Sequence, residues 1–154
     1  MSKQIWGNAC WYLFHALAEK LKPESDTPSN IQTILFHFKQ ICFNLPCPSC
    51  QEHAIKTLEK VNFNNIKNKS DLKTFFWEFH NIVNKRINKP IFSRDKLDDM
   101  YSKAIFINIV NRFITVMKSK DISTERTMMN TISRHLCVDS FAKYIRENGY
   151  SYNP

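Results

Sequence analysis

At 154 residues, with 43% hydrophobic side chains including 12 Phe and 3 Trp, the chain can bury a core of single-domain size and is not a disordered polypeptide. Glycine occurs only at Gly7 and Gly149, which excludes both the G-x-G-x-x-G fingerprint and the P-loop. The net charge of +8 favours acidic contacts, but the longest basic stretch is Lys85-Arg86 with Lys89 beyond, so no dedicated nucleic-acid site is expected.

Helical periodicity runs from end to end. Trp6, Cys10, Leu13-Phe14, Leu17 and Leu21 recur at the spacing of one apolar helix face, which Pro23 and Ser25-Asp26-Thr27-Pro28 interrupt. Ser29 is the predicted cap of a second helix carried by Ile31, Ile34-Leu35, Phe38 and Ile41-Cys42 and ending before Pro46. Cys47-Pro48-Ser49-Cys50 opens a third, with Pro48 at its first position and a face continuing through Ala54, Ile55 and Leu58.

After a polar connection at 62–70, Ser70 or Asp71 is the predicted cap of a fourth helix, from Leu72 to about Ile87. Phe75-Phe76, Phe79, Val83 and Ile87 are its expected inner face, and Pro90 ends it. A short helix follows from about Asp95 to Tyr101, with more apolar residues through Ile105-Phe106, Ile109-Val110 and Phe113-Ile114. Residues 123–148 read as one or two further helices around Met128, Ile132, Leu136, Phe141 and Ile145. No sustained alternation and no Asn-Gly or Asp-Gly hairpin signal occurs, so the expected class is all-α.

The first twenty residues contain no signal-peptide core, and no apolar run approaches the roughly 20 residues of a membrane span. A chain starting at Met1 is therefore expected to stay in a reducing compartment, where five cysteines point to redox or metal chemistry before structural disulfides. Cys47 and Cys50, two residues apart at a helix start, can close a small disulfide ring, and the helix N-terminus favours the attacking thiolate of Cys47. Exposure of Cys47 and shelter of Cys50 would divide exchange from onward electron transfer.

The competing reading is zinc, with Cys47, Cys50 and His53 as ligands and Cys42 or His37 as the fourth. No second C-x-x-C and no H-x-x-x-H supplies the usual second ligand pair, and no βαβ pattern supports a thioredoxin. Two further groups flank the cysteines. Trp11 and His15 lie one helical turn apart, as do His80 and Asn84, with Lys89 beyond. Buried polar side chains on apolar helix faces need partners. Two such helices beside a C-x-x-C suggest a buried polar ligand with an aromatic body, a description a flavin satisfies.

The order W-G-x-x-x-W-x-x-x-H, L-P-C-P-x-C, then H-N-x-V-N-x-x-x-x-K-P, spanning about Ile5 to Tyr101, resembles the Erv/ALR family of FAD-linked sulfhydryl oxidases. The likeness is greatest to the small members encoded by large cytoplasmic DNA viruses of the poxvirus, asfarvirus and mimivirus kind. That resemblance implies a four-helix bundle with a short fifth helix, usually a homodimer, holding FAD non-covalently. Cys47 and Cys50 match the redox pair, Cys50 in the flavin-proximal place. Gly7, Trp11 and His15 match the first FAD-contacting block; His80, Asn81, Val83, Asn84, Lys89 and Phe92 match the second. Tyr101 falls where cellular relatives carry a Trp near the adenine.

Three departures accompany the match. Asn8, within the first FAD-contacting block, stands where many relatives have an Arg that meets the FAD phosphates, so Lys85, Arg86 and Lys89 are the candidate replacements. Arg94 stands where cellular members have a Cys of a structural disulfide. No second C-x-x-C is present as a shuttle, and Cys10, Cys42 and Cys137 are expected to be buried single thiols.

The resemblance implies disulfide formation in dithiol protein substrates, or through a thioredoxin-like redox carrier, with O2 reduced to H2O2. Host cytoplasm and virion are the implied locations. The expected division is an oxidase domain at 1–104 and a helical extension at 105–154, packed on the core or at the dimer interface. Two alternatives stay open: a zinc-stabilised basic helical binding module without enzymatic activity, and an inactive flavoprotein-like scaffold.

Overall fold

A computed structural model describes residues 2–119 and 128–154 of the chain. Its elements are α1 (Lys3–Glu19), α2 (Pro28–Phe43), α3 (Pro48–Leu58), α4 (Lys69–Arg86), α5 (Arg94–Ser102), α6 (Phe106–Met117) and α7 (Met128–Asn148), with short 3-10 turns between some of them. Among the described residues there is no strand beyond an isolated bridge between Leu21 and Tyr152. No helix among them is long and apolar enough to cross a membrane. The all-α expectation is met.

Helix α1 is the axis of the molecule. From Leu13 to Ala18 every residue is buried, because α4, α5 and α6 all pack on this helix. Its polar end is closed by side chains: the Lys69 ammonium donates to the carbonyls of Glu19 (2.7 Å) and Leu21 (2.9 Å). A cation at this end also suits the helix dipole. Lys73 pairs with Glu19 at 2.6 Å and with Asp98 at 3.0 Å, which draws α4 and α5 to the same point.

The predicted apolar faces of α1, α2 and α4 meet in a phenylalanine cluster. Fully buried Phe38 of α2 contacts Phe14 of α1 edge-on at 4.7 Å, and Phe76 and Phe79 of α4 at 5.1 and 5.3 Å. Edge-to-face aromatic packing adds about 0.5–1.5 kcal/mol per pair beyond burial.

Several boundaries and faces differ from the sequence expectations. Thr27, not Ser29, caps α2: its hydroxyl accepts from the Asn30 N–H at 3.2 Å, with Pro28 at the first helical position. Asn68, not Ser70 or Asp71, caps α4 by accepting from the Asp71 N–H at 2.8 Å. In both cases an oxygen-bearing side chain slightly earlier in the chain reaches the free N–H first.

Ile55, Ile87, Ile105, Ile132 and Leu136, all expected inward, are exposed. Among the described side chains of α7 the buried positions are Arg134, Val138, Phe141 and Tyr144. Arg134 takes an inner place because its Nε donates to the Met117 carbonyl at 3.0 Å and so closes the end of α6. That turns Ile132 and Leu136 outward. The predicted helix start near residue 123 and the side chain of Met128 lie outside the described residues.

The C-terminal segment is tied to the core. Lys22 N–H donates to Ser151 O at 2.9 Å, Asn153 N–H to Lys20 O at 2.7 Å, and Phe106 N–H to Pro154 O at 2.9 Å. Phe106 stacks on Tyr152 at 4.6 Å. Helix α6 buries Phe106, Val110 and Phe113 in the same core as α1.

Candidate functional site

Cys47 is the N-cap of α3 and Pro48 begins the helix, as a missing N–H and a preset φ favour. The Cys47 sulfur accepts from the Cys50 N–H at 3.3 Å, and the two cysteines are joined by a disulfide with Cα atoms 5.2 Å apart. The turn before them is held from two sides. Gln51 of α3 donates to the Leu45 carbonyl, and Ser133 of α7 donates to the Asn44 side chain.

Cys50, but not Cys47, lines a cavity of about 530 Å³ between α1, α3 and α4. Its floor is apolar, with Trp6, Trp11, Phe79 and Val83, while Lys3, Arg86 and Lys89 supply positive charge. Both cysteines are half-buried, so what distinguishes them is which one faces the cavity, not their exposure.

Apart from Asn81 and Asn84, the predicted cofactor residues divide into two groups. Gly7, Asn8, Trp11, Cys50, Val83 and Lys89 line the large cavity. His15, His80, Phe92 and Tyr101 gather beside it around Trp11. The Trp11 and His80 rings are stacked at 3.9 Å, and His15 and His80 share a 2.9 Å hydrogen bond between Nε2 and Nδ1. Tyr101 lies 5.2 Å from His15 and Phe92 lies 5.1 Å from His80, measured between ring centroids.

Asn81 is spent locally. Its Oδ1 accepts from the Phe92 N–H at 3.1 Å and its Nδ2 reaches the Phe92 carbonyl at 3.3 Å, which also accepts from Trp77 at 2.8 Å. Asn81 therefore shapes the segment carrying Phe92. Arg94 donates to Thr74 and to the Ser70 carbonyl, so hydrogen bonds tie the start of α5 to α4.

Burial sets the ionisation of the imidazole pair. His15 is pushed down to about 3 by burial and then by the charge of His80, and His80 is pushed down to about 4 by burial and then by Lys89. Both rings are therefore neutral near pH 7, as one donor and one acceptor require. An ordinary histidine titrates near 6.5, so the unfolded chain takes up protons first as pH falls. The stabilisation is complete above about 6.5 and is lost as pH falls toward the folded values, on the order of a few kcal/mol for the pair. The melting temperature is expected to fall from pH 6.5 to 4, and a His15→Phe/His80→Phe variant to flatten that slope. Equal slopes in the two proteins would reject this assignment.

A flavin fits the residues present. The cavity lies within the range of about 300–1,000 Å³ typical of cofactor sites. A Cβ built on Gly7 meets nothing within 4 Å, so open space adjoins α1 at that point. Asn84 is only 3% exposed and its Nδ2 has no protein partner, a buried donor that calls for an acceptor. Lys3, Arg86 and Lys89 are suited to phosphate oxygens. Of the three cations weighed in place of the missing Arg, Arg86 and Lys89 line the cavity and Lys85 does not.

Lys3 and His53 also line the cavity, beyond the cofactor residues expected from sequence. The signal for Lys3 exists: Lys3, Gly7 and Trp11 are spaced by four, one stripe of α1. The spacing from Cys47 and Cys50 marks His53 only as a zinc-ligand candidate. With Cys47 and Cys50 bonded to each other neither offers a thiolate, and no group of three or more metal-ligating side chains occurs among the described residues.

The remaining thiols are quiet. Burial holds Cys10 and Cys42 well above the ordinary thiol value and pushes Cys137 up to about 11. Cys10 and Cys42 nevertheless form part of the cavity wall.

Comparison with known proteins points the same way. The Erv1 / Alr family model matches residues 8–102. A protein of Invertebrate iridescent virus 6 named as a FAD-linked sulfhydryl oxidase is 36% identical over 93 residues, covering 56% of this chain and 83% of its own. The FAD-linked sulfhydryl oxidase of an African swine fever virus isolate is 34% identical over 110 residues, covering 68% of this chain and 86% of its own. A Fowlpox virus protein, also named as a FAD-linked sulfhydryl oxidase, is 28% identical over 90 residues, or 58% and 86% of the two chains. No solved structure matches this one.

Proposed function

The chain belongs to the Erv1 / Alr family, and from that membership we propose that it is an FAD-dependent thiol oxidase, forming disulfide bonds in substrate proteins with O2 as acceptor and H2O2 as product. One observation carries the reading: a disulfide at the start of α3 presents only its second cysteine to a flavin-sized cavity.

Cys47 receives the attack of a substrate thiolate. The new bond joins substrate sulfur to Cys47, the Cys47–Cys50 bond breaks, and its electron pair stays on Cys50. A second substrate thiolate then displaces Cys47, which leaves the substrate oxidised and both cysteines reduced. FAD would supply the two-electron acceptor for the reduced pair, with O2 as the final acceptor. The protein aims Cys50 into the cavity, walls it with Trp6, Trp11 and Phe79, and offers Lys3, Arg86 and Lys89 to the phosphates. Neutral His15 and His80, with Asn84, Phe92 and Tyr101 next to the cavity, would hold the remainder of the cofactor, while Asn8 and Gly7 would leave it room along α1.

The electron donor is a dithiol protein or a thioredoxin-like carrier, and the working unit is a homodimer. The viral relatives support host cytoplasm and virion as its setting. Residues 1–104 form the oxidase unit and 105–154 an extension, a division supported by the family match ending at residue 102.

The test is direct. Purified protein is expected to be yellow, and addition of a dithiol is expected to consume oxygen and release an equal amount of peroxide. A colourless protein, or a yellow one that takes up no oxygen, would reject the reading.

A further inference from the structure

Besides the buried thiols Cys10 and Cys42, the cavity wall holds a histidine that the oxidase steps above do not use. His53 lies three residues after Cys50 on α3, so the two share a helix face, and both line the cavity. His53 Nδ1 is 2.7 Å from the Ser49 carbonyl oxygen. A carbonyl only accepts, so Nδ1 carries the hydrogen and Nε2 is the ring nitrogen not engaged by that bond. His53 is exposed.

Disulfide opening creates a demand at this point. When substrate sulfur bonds to Cys47, the Cys47–Cys50 bond breaks and Cys50 departs as a thiolate carrying the electron pair; no oxidant enters the step. A leaving thiolate departs faster the better its charge is stabilised. Cys47 holds the N-cap place and accepts the Cys50 N–H, whereas Cys50 lies inside the first turn with His53 next along the same face.

We propose that His53 is the positioning residue for the Cys50 thiolate: its imidazolium, oriented by the Ser49 carbonyl, stabilises the sulfur charge released when substrate opens the disulfide. The proposal rests on the thiol-oxidase reading. Lys3 of α1, Arg86 of α4 and Lys89 beyond it bring fixed positive charge to the same space from other elements, whereas His53 stands one turn from Cys50 on its own helix face. Cys10 of α1 and Cys42 of α2 are held neutral by burial. On α3 itself, Glu52 and Lys56 pair with each other at 2.9 Å.

The experiment uses the full chain as purified, with Cys47→Ser to release Cys50, and follows iodoacetamide alkylation across pH. Peptide mass mapping separates Cys50 from Cys10, Cys42 and Cys137. Adding His53→Ala is expected to raise the midpoint of Cys50 reactivity by about one pH unit, roughly a tenfold slower reaction near neutrality. His53→Lys, which keeps a positive charge, is expected to hold the midpoint at or below that of the His53 protein. Superimposable profiles, or equal upward shifts for Ala and Lys, would overturn the proposal. Alkylation requires no turnover, so this result stands apart from whether dithiols drive oxygen uptake.

Discussion

Cys50→Ser is expected to reduce dithiol-driven oxygen uptake to background while the purified protein stays yellow. The two halves of that outcome come from different parts of the structure. Cofactor retention depends on a wall contributed mainly by α1 and α4, with Trp11, Phe79, Val83, Arg86 and Lys89, to which a serine at 50 is a near-isosteric neighbour. Turnover depends on a sulfur that can carry an electron pair, and a hydroxyl cannot form or break the disulfide. Cys47→Ser is expected to be equally inactive, because it removes the atom that substrate attacks. Flavin absorbance and an oxygen electrode read the two properties on the same sample. Substantial activity in either yellow variant would remove the pair from the proposed mechanism.

Gly7→Leu is expected to separate folding from cofactor binding in the opposite sense. Gly7 lies in the first half of α1 with ordinary helical geometry, and a Cβ there meets nothing within 4 Å. Glycine in a helix interior costs about 0.5–1 kcal/mol relative to alanine, so a helix-forming side chain should raise the melting temperature of the cofactor-free protein slightly. The same side chain enters a space bounded by Trp6, Trp11 and Cys50. Overpacking of about 1–3 kcal/mol corresponds to roughly tenfold to hundredfold weaker flavin binding. Gly7→Ala should retain the stability gain with a smaller loss of flavin. Full flavin content in the Leu variant would show that the cofactor does not approach α1 at this point.

The readable parts of the molecule were those set by local chemistry. The inner faces of α1, α2 and α4 follow from apolar spacing because large side chains such as Phe38 and Phe76 have no alternative to burial. Helix α7 defeats that reasoning. Its buried face includes Arg134, whose guanidinium ends α6, and so the equally apolar-looking Ile132 and Leu136 point outward. Caps shifted by a few residues for a similar reason: several oxygen-bearing side chains compete, and backbone geometry selects the one that reaches.

The candidate site divides along the same line. The sequence by itself placed Cys47 and Cys50 together at the start of one helix and, through the scarcity of glycine, excluded the Gly-rich phosphate loops. Those conclusions need only residue identity and spacing along one helix. Tertiary structure alone decided that Arg86 and Lys89 line the cavity while Lys85 does not, and that Asn81 shapes the segment carrying Phe92. It also decided that His15 and His80, 65 residues apart in sequence, share a hydrogen bond. The physical reason is that such relations arise between helices. Their crossing and rotation are set by the whole packed core, and no local sequence window contains it.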